Sequence, residues 1–146
     1  MGMSAFMDRS YRVGPNGRVV CDTIAGRRDL DALSEALAWR RAELSRVDLQ
    51  DADAVLALRA LMVLDDMLAA TRAYEGHAPL SVNRERVHTL CEIAGAYVCE
   101  RDVDGYQGPE ERNRIERLRA LAGPLMDCCS ELAAAQDEVR ERALSV

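Results

Sequence analysis

No lysine occurs among the 146 residues; all nineteen basic side chains are arginine. The most direct source of that bias is GC-rich coding, which points to a bacterium or its phage. A second reading is avoidance of ubiquitin-acceptor sites, as in an effector injected into a eukaryotic host. Aromatics are almost as scarce: Phe6, Tyr11, Trp39, Tyr74, Tyr97 and Tyr106 are the whole set. The core must therefore be assembled from Leu, Ala, Val and Met. A net charge of −6, with arginines interspersed among the acids, provides neither an electrostatic funnel nor stacking platforms. Nucleic-acid binding is disfavoured on both counts.

Nucleophile sets are missing as well. Neither histidine sits in a Ser/His/Asp or Cys/His context, and there is no GxSxG, Walker loop or GxGxxG. The five cysteines are an odd number without CxxC spacing, and mostly lie in apolar runs. They read as reduced thiols of a cytosolic protein. Met1–Arg12 has no apolar signal region, and Phe6 occupies the place where a myristoylation site needs Ser or Thr. The longest apolar run, Ala54–Leu64, is broken by Arg59 and is about half a membrane span. A soluble, cytoplasmic chain without a membrane partner is expected.

What is present is helical rhythm. Apolar residues make up 49% of the chain, which marks a globular sequence. A chain of this length buries roughly 70% of its unfolded surface without metal or disulfide. Ile115, Leu118, Ala122, Leu125, Cys129, Leu132, Val139, Ala143 and Val146 recur at spacings near three and four, broken only by Gln136. That is one stripe of a helix packed on a neighbour. The expected architecture is an all-α antiparallel four-helix bundle with helices at about 29–47, 48–74, 81–101 and 109–144. The last helix is expected to kink at Gly123-Pro124. Residues 1–28 form an N-terminal arm with a β-hairpin over 10–21 around Gly14-Pro15-Asn16-Gly17, and 29–146 form the single helical domain. Asp48 and Ser81 are the expected caps of helices two and three, with Gly76-His77-Ala78-Pro79 as a stop between them. Helix two is apolar nearly all round (Val55, Leu56, Leu58, Leu61, Met62, Val63, Leu64), so it is expected at the centre.

Three constellations bear on chemistry. Glu100, Asp102, Asp104, Gly105, Tyr106 and Glu111 fall at positions 1, 3, 5, 6, 7 and 12 of a calcium-loop frame. This resembles the EF-hand loop, with two departures: Glu at position 1, and Gln107 where an apolar residue pairs with a second hand. His88 and Cys91 share a helical face that Cys128 could approach, a zinc-type donor set. Asp65-Asp66 follow the most apolar run, but Ala69 breaks the DDxxD pattern. An ordinary acidic loop, a buried thiol and arginine-paired carboxylates explain all three, and no cofactor or metal is favoured.

The expected function is a non-catalytic protein–protein interaction or regulatory module. It self-associates as a homodimer through Leu132, Gln136, Val139, Ala143 and Val146 of the last helix, with Gln136 setting the register. One alternative is a small-molecule or metal-binding sensor or enzyme with a pocket lined by Asp65, Asp66, His88 and Tyr97. Another is a bacterial secretion effector or its acidic chaperone.

Overall fold

A computed structural model describes residues 6, 8–47, 50–105 and 108–145, with backbone alone for 102–104. The order is β1 (Ser10–Val13), β2 (Val19–Ala25), α1 (Arg27–Leu44), α2 (Ala52–Ala70), β3 (Ala78–Asn83), α3 (Arg84–Asp104) and α4 (Pro109–Leu144). Four helices are present, yet the architecture is not an all-α bundle with a hairpin. The three strands form one antiparallel sheet in the order β1-β2-β3, with Cys21 opposite both Tyr11 and Val82.

The hairpin is real but incomplete as a description. Asn16 and Gly17 take left-handed conformations (φ 64° and 72°) at its turn, which glycine adopts without a Cβ clash. The third strand corrects the reading of 76–81 as a helix stop and cap. Ala78, Leu80 and Val82 point inward while Pro79 and Ser81 are exposed, a period of two that six residues display only weakly in sequence. Pro79 is tolerated because β3 is an edge strand with no further ladder to feed. The cap of α3 is Asn83, whose Oδ1 accepts from Arg86 N–H at 2.9 Å. Helix two is capped by Asp51, whose carboxylate accepts from Asp53 N–H at 3.0 Å; Asp48 lies outside the described residues.

Helix α4 organises the molecule. It packs against α3, α1 and β2, burying Ile115, Leu118, Leu121, Leu125, Cys128 and Leu132. The chain runs helically through Gly123-Pro124 without a break. Phe6, fully buried, joins the same core and is anchored by Phe6 N–H to Ile24 C=O at 3.1 Å. Helix α2 departs furthest from expectation. It packs mainly on α1 and buries four of its nineteen residues: Ala54, Leu61, Leu64 and Leu68. The centre is already filled by α1, α3 and α4, so the most apolar helix lies at the periphery.

Candidate functional site

The seam between sheet and last helix is the most elaborate polar cluster. Cys21 on β2 and Cys128 on α4 are both fully buried, and each thiol shifts the other's pKa. The Cys128 thiol stabilises a Cys21 thiolate, which lowers the Cys21 pKa. Sharing that proton and being buried both push Cys128 upward. Above them, Arg9 grips Glu131 with two bonds of 2.8 and 2.9 Å, and Tyr11 donates its hydroxyl to the same carboxylate. Arg9 also donates to the Phe6 carbonyl. Arg9, followed by Tyr11, holds the Glu131 carboxyl below its ordinary range. A reactive thiolate needs access to its reagent; here both sulfurs are sealed, so the cluster fastens β1 and β2 to α4.

One turn further along α4, Gln136 continues that seam. Its Oε1 accepts from Val19 N–H at 2.9 Å, and its Nε2 donates to Gly17 C=O at 3.0 Å. Beside it runs a groove of about 740 Å³ between the β1–β2 turn, the start of α3 and the end of α4. Arg18, Arg84, Glu85, His88 and Val139 are among its walls. A second groove, between α1 and the first half of α4, is crossed by the Arg117–Asp29 ion pair at 3.2 Å. Both grooves mix charges of both signs.

The residues nominated from sequence are dispersed. Leu132 is core, Gln136 is committed within the chain, Val139 is half-buried against the core, Ala143 is exposed on the groove wall, and Val146 lies outside the described residues. For the calcium frame, α3 continues through Asp104, so its first five positions are helical and not a ligand loop. Glu111 is buried, with Arg101 Nε 3.1 Å from its Oε1, close enough for charge pairing without hydrogen-bond alignment. The side chains of Asp102 and Asp104, and all of Tyr106, lie outside the described residues.

His88 is exposed and Cys91 half-buried, whereas Cys128 faces Cys21. Burial, reinforced by neighbouring Cys129, pushes the Cys91 thiol up to about 11. Among the described residues no group of three or more His, Cys, Asp or Glu is placed to hold a metal ion. Asp65 pairs with Arg41 at 3.2 Å, while Asp66 is exposed. Tyr97 is buried edge-on to Trp39 at 5.6 Å, and accepts from Arg114 at 3.4 Å. Of the four residues nominated for a pocket between helices two and three, only His88 lines either groove.

What sequence reasoning missed is the free face of α2. Opposite its buried row, Ala52, Leu56, Arg59, Val63, Asp66 and Ala70 recur at alternating spacings of four and three, and all six are exposed. Leu56 is 61% exposed, Val63 44%, and the flanking Met62 53%, on an apolar helix face that no described residue covers. No family model, curated protein or solved structure matches this chain. The free face is therefore weighed on its own chemistry. A 19-residue helix is about 28 Å long. Half of that cylinder is lined by Leu, Val, Met and Ala, with one cation and one anion set within it. Its apolar stripe has the chemistry of a helix face that packs on another apolar helix face. No helix among the described residues is long and apolar enough to cross a membrane.

Proposed function

We propose that this protein is a non-catalytic interaction module whose contact surface is the outer face of α2. The observation that carries the reading is the exposure of Leu56, Met62 and Val63 on a helix whose opposite row is already packed. A solvent-facing helix of a finished monomer ordinarily presents charge there. Support also comes from what the polar clusters do: the sealed thiols, the Gln136 clasp and the paired arginines each hold elements together. Helix-in-groove contact needs only an apolar stripe and a few charges to set register.

The test is binding of the apolar dye 1-anilinonaphthalene-8-sulfonate at low protein concentration. The wild-type chain should enhance its fluorescence. M62E/V63E should abolish most of that signal while leaving the circular-dichroism spectrum intact, because both side chains face solvent. Dye binding that is absent, or unchanged in the double variant, overturns the reading.

A further inference from the structure

The charges on the free face of α2 are arranged to choose a partner. Arg59 and Asp66 are exposed, lie on the outer stripe either side of Val63, and make no ion pair among the described residues. Other charges around this helix are used differently: Asp65 is tied to Arg41, and Asp51 caps the first turn. Laying a second α2 against the first in parallel sets Arg59 on Arg59 and Asp66 on Asp66, which repels at two places. Turning the second helix end for end about a two-fold axis near Met62 and Val63 brings each Arg59 within a turn of the other copy's Asp66. Each charge is then answered once and the Arg59–Asp66 pair forms twice, because an isologous contact repeats every pairing. Met62 and Val63 meet at the centre, and Leu56 approaches the small Ala69 and Ala70 at the ends. The stripe Ala52, Leu56, Arg59, Val63, Asp66, Ala70 has the spacing of a helix seam.

We infer that the occupant of this face is a second copy of the chain, docked α2 against α2 in antiparallel orientation, with Arg59–Asp66 pairs setting direction. The inference rests on the reading of α2 as the contact surface and names its partner. A single helix face about 28 Å long is at the small end of stable interfaces. The dimer therefore forms and dissociates with concentration.

Light scattering over a concentration series tests this on the full chain. Wild-type mass should rise from 16.2 kDa toward twice that value. R59D and D66R each convert two attractions into two repulsions and should each weaken dimerisation by roughly tenfold or more. R59D/D66R exchanges the charges in both copies, restores attraction only in the antiparallel arrangement, and should return the dissociation constant to within a few-fold of wild type. All three variants sit on solvent and should keep the wild-type helical content. A mass fixed at 16.2 kDa overturns the inference, as does a dimer indifferent to V63E or a double variant as weak as the singles. A chain that binds the apolar dye through α2 yet remains monomeric overturns the second-copy assignment alone. A chain without dye binding at α2 contradicts the contact surface itself.

Discussion

Helices α2 and α4 exchange the roles that their compositions suggest. The first is apolar on nearly every side and lies at the edge; the second carries charges along most of its length and lies at the centre. A buried row of six residues on α4 is matched by α1, α3 and the sheet, whereas only four residues of α2 find a match. Hydrophobic content measures how much area a helix would hide. Position is decided by how many neighbours present complementary rows, and α4 has three such neighbours. Surplus apolar area on a peripheral helix stays exposed, and the proposed function assigns it to a partner.

The sharpest way to break that contrast is to truncate one side chain on each helix. Leu125→Ala, at a fully buried position of α4, should cost about 2–5 kcal/mol in chemical denaturation. Val63→Ala on the outer face of α2 should change monomer stability by less than about 0.5 kcal/mol. Comparable losses at the two sites would erase the distinction between core helix and surface helix.

A smaller effect sharpens the account of the last turns of α4. Gln136→Ala removes both amide bonds and leaves Val19 N–H, on a buried residue, without its acceptor. The expected loss is about 1–3 kcal/mol, with hydrogen exchange rising at Val19. Molar mass at a given concentration should not change, since this amide serves the chain's own sheet. A fall in mass without loss of stability would return Gln136 to an intermolecular seam.

The smallest effect concerns acid. Arg9 and Tyr11 hold the folded Glu131 carboxyl below its ordinary value of 4.5, so its contribution is present above that pH and is lost as pH falls through the folded value. Its side chain is 43% exposed, which screens the pair and keeps the effect modest. Glu131→Gln should therefore be less heat-stable than wild type near neutrality, with the gap closing below that range. A gap of constant size from neutral to acid would detach Glu131 from the clamp.

Much of the helical half of the fold was legible where, as on α4, an element announced its own face. On α4, Ile115, Leu118, Leu125 and Leu132 of the expected stripe are buried, but Ala122 is exposed and Cys129 half-buried, and Leu121 and Cys128 complete the row instead. The sheet was half legible: Asn16-Gly17 marks the turn, but β3 is six residues with a proline and a serine on its open face, easily taken for a helix stop. Phe6 left no periodic trace, since a single aromatic in an irregular segment has no pattern to join. The exposed apolar face of α2 was hidden for another reason. When both rows of α2 are apolar there is no amphipathic signal to separate the packed side from the free one, and only the neighbours decide which row is which.

The seam joining Arg9, Tyr11 and Val19 to Glu131 and Gln136 spans 117 to 122 positions of chain. Ribosomes add roughly 5–20 residues per second, so the strands emerge on the order of ten seconds before the helix that covers them. Closure across such separations is entropically slow. The inner faces of β1 and β2 therefore leave the ribosome before the helix that covers them.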